Sequence, residues 1–179
     1  MNTTSRVLLT AILCVAAAAC TKKVKEDPDT GATQSGPSSG ATSSGIGNTG
    51  PSGRNGLYGP GDLDTDACLR QRVVYFDFDQ DALKPEFQTI VACHAKYLRD
   101  RPSARMTLEG NADERGSREY NLGLGERRGN AVSSAVQANG GSGTQITVVS
   151  YGEERPTCTE STEDCWGRNR RVEIVYTEK

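Results

Sequence analysis

The residues best suited to chemistry lie in the stretch EGNADERGSREYNLGLGERRGNAV, positions 109–132. Its apolar residues follow a helical spacing, yet Arg128 falls in the middle of the apolar stripe. On a projection of about 100° per residue with Leu124 at zero, Arg128 points to about 40°, among the apolar side chains. Asn121, one heptad earlier, points to about 60° on the same projection. We therefore expect a guanidinium and an amide that both face the protein interior.

A buried guanidinium without a partner costs several kcal/mol, so we expect a carboxylate to approach Arg128. The nearest source is the preceding loop NADERG, which contains Asp113 and Glu114. In one interpretation, Asp113 and Arg128 form a structural ion pair that locks the loop to the helix. In the other, both groups line a pocket and bind a ligand with charges of both signs, such as an amino-acid headgroup. The residue pattern alone favours neither.

Several other chemistries are not expected. DFDQDA begins like a calcium-binding loop but lacks the required Gly and the bidentate Glu. GLGERRG has the wrong spacing for a dinucleotide-binding turn. A glycosidase pair is disfavoured because Asp113 and Glu114 are adjacent, and pairing with Arg128 would lower the pKa of Asp113 instead of raising it. The single histidine, His94, falls on an apolar helix face and is expected in the core. We predict no catalytic residues, no metal and no cofactor.

The elements that must position these residues follow from the hydrophobic periodicity. Strands are predicted at 72–79, 104–110, 144–152 and 170–177, and helices at 85–100 and from about 117 to 139, before Gly140 and Gly141. A loop with a short helix precedes the last strand. The order is β-α-β-α-β-β, which predicts an α+β sandwich with two main helices on one face of a mixed four-stranded sheet. Arg170 and Arg171, at the start of the last strand, are expected to form structural ion pairs.

The N-terminus has the pattern of an export signal. Residues 1–19 contain Arg6 and the apolar run VLLTAILCVAAAA, which is shorter than the about 20 residues of a membrane-spanning helix. The small residues before Cys20 resemble the lipobox of bacterial lipoproteins, which implies that Cys20 is lipidated. In that comparison Thr21 favours the outer membrane. A secretory signal with a coincidental cysteine is the alternative.

The next segment, residues 20–66, is mostly Gly, Ser, Thr, Pro and Asp. It has too few apolar residues to offset the entropy of ordering, so we predict a disordered tether with a root-mean-square span of about 35–40 Å. The folded domain is expected at 67–179. The net charge of −2 and the lack of a long basic stretch give no indication of nucleic-acid binding.

Four cysteines remain once Cys14 is removed with the signal and Cys20 is lipidated. An exported chain reaches an oxidising compartment, and four cysteines allow three pairings. We favour Cys68–Cys93, which would tie the segment before a strand to the following helix, and Cys158–Cys165, which would close the short loop CTESTEDC. A zinc site is disfavoured because the chain has one histidine and no CxxC pair.

The string D-x-x-G-x-x-x-x-N-x-x-L-x-x-x-R consists of Asp113, Gly116, Asn121, Leu124 and Arg128. Together with VYFDFD before it and NRRVEIVY after it, this string resembles the peptidoglycan-binding domain shared by the C-terminal part of outer membrane protein A and the peptidoglycan-associated lipoproteins. The resemblance covers about residues 72–177. It implies noncovalent binding of the peptidoglycan stem peptide through its diaminopimelate residue.

The resemblance also assigns roles to individual residues. It implies that Asp113 meets the diaminopimelate ammonium, that Arg128 meets its carboxylate, and that Asn121 and Leu124 line or brace the site. Backbone groups of the loop after the first strand are expected to complete it, at Phe78, Asp79, Gln80 and Asp81. Gly125 and Gly129 stand where Ser and Ala are usual in the family, and because interior glycines cost about 0.5–1 kcal/mol each, we expect a loosened helix.

The implied function is mechanical. The chain would be lipid-anchored in the outer membrane, face the periplasm, and tether the membrane to the cell wall. Its expected partners are peptidoglycan and Tol proteins, including TolB, in the machinery that constricts the envelope at division. Two alternatives keep the exported domain: a peptidoglycan-cleaving enzyme, and a scaffold of the same fold that binds only proteins.

Overall fold

A computed structural model describes residues 56–179 of the chain. The expected signal peptide, the lipidated Cys20 and residues 21–55 of the expected tether lie outside the described residues. Within the described part, no helix has the length and apolar character needed to cross a membrane.

Four strands form one mixed sheet, and α-helices alternate with the strands along the chain. The strands are β1 (Val73–Tyr75), β2 (Arg105–Asn111), β3 (Ile146–Gly152) and β4 (Arg171–Glu178), and the helices are α1 (Asp62–Thr65), α2 (Gln88–Asp100), α3 (Arg118–Ala138) and α4 (Glu163–Asn169). The strand order is β1-β4-β2-β3. β4 is antiparallel to β1 and β2, whereas β2 and β3 are parallel. The predicted α+β class and mixed four-stranded sheet are confirmed.

One face of the sheet packs against the two main helices. Met106 and Leu108 of β2 lie opposite Tyr176 and Ile174 of β4, and these side chains share one core with residues of α2 and α3. The apolar positions predicted to face inward from α2 are all buried: Phe87, Ile90, Val91, His94 and Leu98. The helical periodicity of residues 85–100 therefore identified the buried side of this segment correctly.

Helix α2 buries the single histidine. The side chain of His94 has no solvent exposure, and its two ring nitrogens lie 2.9 Å from the Tyr176 hydroxyl and 3.0 Å from the Gln71 carbonyl oxygen. Desolvation by burial lowers the pKa of His94 to about 4. The predicted core position of His94 is confirmed.

The packed region begins before the expected boundary at residue 67. Tyr58 and Leu63 are buried in the core, and the Tyr58 ring lies 6.2 Å from the ring of Tyr97, between centroids. Tyr58 and Leu63 were assigned to the tether because the segment 20–66 consists mostly of Gly, Ser, Thr, Pro and Asp. The domain described by the structure thus includes α1 and the residues around it.

The first strand is shorter than predicted. β1 covers three residues instead of the eight from 72 to 79. After Phe76, whose amide still donates to the Arg170 carbonyl at 2.9 Å, the chain leaves the sheet. The carbonyls of Asp77 and Gln80 accept hydrogen bonds from Arg128 instead of from a neighbouring strand.

Helix α3 approaches the sheet through two glycines. A Cβ atom at Gly125 would lie 2.8 Å from the Gly110 carbonyl oxygen, and one at Gly129 would lie 2.5 Å from Val148 Cγ1. Both distances are too short for carbon, so neither position accepts a side chain unless the helix moves. The helix is continuous from Arg118 to Ala138, and both glycines lie in close contact with the sheet. The expected loosening of α3 stays a prediction.

Two disulfides join cysteines within residues 56–179, and both predicted pairings are confirmed. Cys68–Cys93 has a Cα–Cα distance of 6.3 Å and joins the segment before β1 to α2. Cys158–Cys165 has a Cα–Cα distance of 5.3 Å and closes the loop at the start of α4. By closing the longer loop, the first is expected to contribute more to stability, about 3 kcal/mol.

Candidate functional site

A cavity of about 210 Å³ opens where the loop after β1, the loop after β2 and the first turns of α3 meet. Six of the predicted site residues line it: Phe78, Asp79, Asp113, Asn121, Leu124 and Arg128. Gln80 and Asp81 do not line it. Three further residues that the sequence analysis did not assign to the site complete the wall: Arg115, Gly116 and Tyr120.

Arg128 is fully buried and is satisfied by backbone carbonyls. Its Nε donates to the Gln80 oxygen at 2.8 Å, Nη1 to the Asn111 oxygen at 2.8 Å and Nη2 to the Asp77 oxygen at 3.1 Å. The expectation that a carboxylate pairs directly with Arg128 is wrong. Three carbonyl dipoles from two loops match the planar donor set without a second buried charge.

The charge of Arg128 persists despite this burial. Desolvation lowers the pKa of its guanidinium to about 10, while the nearby carboxylate of Asp113 opposes the shift. The side chain is therefore a permanent cation at neutral pH. Its guanidinium also lies over the ring of Phe76, 5.3 Å from the centroid.

Asp113 is buried and pairs with two other arginines. Arg115 donates from its backbone nitrogen and Nε to Oδ1 at 3.1 and 3.2 Å, and from Nη2 to Oδ2 at 2.7 Å. Arg170 Nη1 donates to Oδ2 at 3.1 Å. Burial acts to raise the pKa of Asp113, but these hydrogen bonds outweigh it and hold the pKa below its usual value. Asp113 is therefore an anion at neutral pH, and the predicted structural role of Arg170 is confirmed.

The loop 77–81 is fastened to α3 at several points. Asp79 has a positive φ of 57°, which is uncommon for a residue other than glycine, and its Oδ1 accepts a short hydrogen bond from the Tyr120 hydroxyl. Arg127 Nε donates to Asp81 Oδ2 at 3.0 Å. Gln80 and Asp81 therefore hold the loop in place from outside the cavity, through a backbone carbonyl and an ion pair.

Asn121 and Leu124 have the places expected of them. Asn121 is buried, and its Nδ2 donates to the Asp113 carbonyl oxygen at 3.1 Å and to the Glu153 carboxylate. This amide braces the loop that contains Asp113. Leu124 is buried too and provides an apolar wall. The cavity thus combines a cation, an anion and an aliphatic surface.

Arg115 is the most consequential residue that the sequence analysis missed. Its guanidinium carbon lies 4.0 Å from the ring centroid of Phe78 and 4.1 Å from that of Trp166, so two aromatic rings contact it. Its Nη1 also donates to Glu163 Oε2 at 3.3 Å. Only its position two residues after Asp113 hinted at a role, because Phe78 and Trp166 belong to segments distant in sequence.

The lining of the cavity has charged groups of both signs. Its lining has no serine, threonine, cysteine, histidine or lysine. Among residues 56–179, no cluster of His, Cys, Asp and Glu could hold a metal ion. A permanent cation and a permanent anion in one pocket favour a ligand with both charges.

The fold and this cavity define an OmpA-like domain. Residues 75–170 match the OmpA family, and the chain belongs to that family. The chain is 48% identical over 115 residues to the peptidoglycan-associated lipoprotein of Pseudomonas putida, across 64% of this chain and 69% of that protein. The corresponding protein of Pseudomonas aeruginosa is 46% identical, across 64% and 68%.

A solved structure is similar as well. The crystal structure of the peptidoglycan-associated lipoprotein from Burkholderia pseudomallei has a TM-score of 0.63 and 39% sequence identity, and covers 65% of this chain and 98% of that chain. The family resemblance inferred from the string between Asp113 and Arg128 is therefore confirmed.

Proposed function

We propose that this chain is an outer-membrane lipoprotein that binds peptidoglycan noncovalently through the diaminopimelate residue of the stem peptide. The observation that supports this most directly is the cavity itself, in which the cation of Arg128 and the anion of Asp113 are both buried beside the aliphatic wall of Leu124. The end of diaminopimelate that extends from the peptide has a carboxylate, an ammonium and a methylene chain. The names of the relatives agree with such a ligand.

Arg128 can bind a carboxylate without losing its present partners. A guanidinium has five N–H donors, and three of those of Arg128 are used by carbonyls, which leaves two. A charge-assisted pair with a ligand carboxylate adds bonds that are stronger than neutral ones. Because loops fix the guanidinium in advance, little ordering entropy is lost on binding.

The ammonium has two carboxylates within the same cavity. Asp113 already accepts four hydrogen bonds, so a ligand ammonium must share its oxygens with Arg115 or Arg170. Asp79 uses one oxygen for the Tyr120 hydroxyl, and its second oxygen has no donor among the described residues. We therefore propose that the ammonium binds between Asp113 and Asp79.

The test compares two ligands on the intact protein. Isothermal titration calorimetry is done with a tripeptide that ends in diaminopimelate and with the same tripeptide ending in lysine, which lacks the terminal carboxylate. We expect the lysine peptide to bind at least about tenfold more weakly, since one charge-assisted pair is lost. Equal affinities would contradict the assignment of the cavity. Release of muropeptides from purified sacculi would instead indicate a cleaving enzyme.

The proposed cellular role follows from the expected N-terminal features of the chain and from the proposed binding of its domain to the cell wall. A signal at 1–19, a lipid on Cys20 and a tether at 20–66 would hold the domain in the periplasm and couple the outer membrane to the wall within the Tol–Pal system. Labelled palmitate should be incorporated into the wild-type chain and not into Cys20→Ala. A Cys20→Ala chain that still fractionates with the outer membrane would refute the lipid anchor.

A further inference from the structure

The side chain of Arg115 is held at the cavity by aromatic contacts and hydrogen bonds. Phe78 and Trp166 contact it at 4.0 and 4.1 Å, and its side chain remains 29% exposed. Its hydrogen bonds to Asp113 and Glu163 fix the plane of the guanidinium from two sides. A long side chain that ordinarily loses considerable rotamer entropy on binding is therefore already ordered.

The donors of Arg115 are only partly used. Nε donates to Asp113 Oδ1, Nη2 to Asp113 Oδ2 and Nη1 to Glu163 Oε2, which leaves one N–H on each terminal nitrogen. The two unused donors belong to a side chain that lines the cavity. They are a ready site for a carboxylate.

Neutralisation of Asp113 does not require Arg115. Arg170, whose side chain is only 9% exposed, already pairs with Asp113 at 3.1 Å and with Glu163 at 2.7 Å. Arg115 is thus the second cation that pairs with the buried carboxylate of Asp113. The aromatic contacts keep this cation at the cavity mouth instead of letting it extend into solvent.

We infer that Arg115 binds a second carboxylate of the ligand, beside the headgroup held by Arg128. This inference rests on the proposed function. In a stem peptide, the residue joined to diaminopimelate is a γ-linked glutamate whose α-carboxylate is free unless it is amidated. The site therefore selects stem peptides in which this α-carboxylate is free.

The experiment uses two tripeptides that both end in diaminopimelate and differ only in amidation of the glutamate α-carboxylate. Calorimetry on the intact wild-type protein should give about tenfold tighter binding of the free acid, the effect of one charge-assisted pair. Arg115→Gln should bind the free and the amidated peptide with equal affinity. Equal affinities in the wild type, or a preference retained by Arg115→Gln, would overturn the inference.

Controls separate this result from other causes. Arg118→Gln removes a cation of the same loop region that pairs with Glu154 outside the cavity, so it should keep the full preference. If Arg115→Gln fails to fold, the neutral Arg115→Met replaces it, and a preference for the free acid retained there counts against Arg115. In the wild type, equal affinities for the diaminopimelate and lysine peptides would refute the proposed function, whereas equal affinities for the free and amidated peptides alone would refute only this inference.

Discussion

At the scale of single residues, Arg128 has two roles that cannot be separated by simple deletion. Its guanidinium donates to the backbone carbonyls of Asp77, Gln80 and Asn111, and the side chain also lines the cavity. Removing the side chain would leave these three carbonyls without their present donor, and at the buried Asn111 carbonyl the loss costs about 1–3 kcal/mol. The same guanidinium therefore shapes the pocket and supplies its positive charge.

Arg128→Lys should impair both roles. An ammonium keeps the charge but cannot reach three divergent carbonyls in one plane, so we expect about 2 kcal/mol lower unfolding free energy and at least about tenfold weaker peptide binding. Urea unfolding and calorimetry measure the two effects. The neighbouring Arg127→Lys is the matched control, because its pair with Asp81 is half exposed and worth at most about 1 kcal/mol. Similar losses in both variants would contradict the assigned role of Arg128.

At the scale of elements, the contact between α3 and the sheet sets the position of every α3 residue in the cavity. Gly125 lies against Gly110 of β2 and Ser150 of β3, where no Cβ fits. This close approach brings Asn121, Leu124 and Arg128 to the loops at the ends of the strands. A helix displaced outward by a methyl group would carry all three away from their partners.

Two glycines of the same helix should respond to alanine with opposite signs. Gly125→Ala should destabilise the fold by about 1–3 kcal/mol through overpacking, despite the better helix propensity of alanine. Gly123→Ala meets only Arg127 Nη1, at 3.4 Å from the new Cβ, and should stabilise the fold by about 0.5–1 kcal/mol. Thermal and urea unfolding test the pair. Stabilisation by both substitutions would show that α3 does not need close contact at Gly125.

The short helix α4 contacts two arginines that pair with Asp113 in the cavity. Glu163 of α4 contacts Arg115 and Arg170, and Trp166 contacts the Arg115 guanidinium. The Cys158–Cys165 disulfide holds the start of this helix. The position of Asp113 thus depends on α4 through two arginines.

The two disulfides should therefore differ in what they protect. Replacing Cys158 and Cys165 with alanine should weaken peptide binding several-fold, because α4 and its contacts with Arg115 become less ordered. Replacing Cys68 and Cys93 should lower the unfolding free energy by about 3 kcal/mol and leave the affinity of the folded protein unchanged. Calorimetry below the unfolding temperature separates the two results. An affinity loss confined to the second variant would contradict this division.

At the scale of the whole molecule, one core holds the N-terminal packed residues, both main helices and the sheet together. His94 is fully buried in the domain and is kept neutral at neutral pH by this burial. Protonation of this ring must therefore oppose folding of the entire domain. The chain has no other histidine, so the effect can be measured without interference from one.

Stability should fall with acidification below neutral pH. Because the pKa of His94 is about 4 in the folded state and about 6.5 in the unfolded chain, the unfolded state binds the proton first, and the stabilisation is complete only above about pH 6.5. Linkage gives a loss of about 2 kcal/mol between pH 7 and pH 5. Urea unfolding across this range should show that slope in the wild type and much less of it in His94→Gln. A pH-independent wild type would contradict a neutral, buried His94.

Local spacing determined much of this protein. The periodicities at 85–100 and 117–139 predicted both main helices, and the same projection turned Arg128 and Asn121 inward, because side-chain direction in a helix depends only on position along the chain. The string from Asp113 to Arg128, together with VYFDFD before it and NRRVEIVY after it, was sufficient to recognise the family. It also contains most of the residues that line the cavity.

Only the tertiary structure decided which groups meet. Arg128 pairs with the carbonyls of Asp77, Gln80 and Asn111, and a carbonyl has no side-chain identity that a sequence pattern could reveal. Arg115 lies between Phe78 and Trp166, which come from loops that approach one another only after the sheet and α4 have formed. The partners of a buried charge are chosen by such convergence, so the chain alone indicated that Arg128 needed acceptors and the fold determined which ones it has.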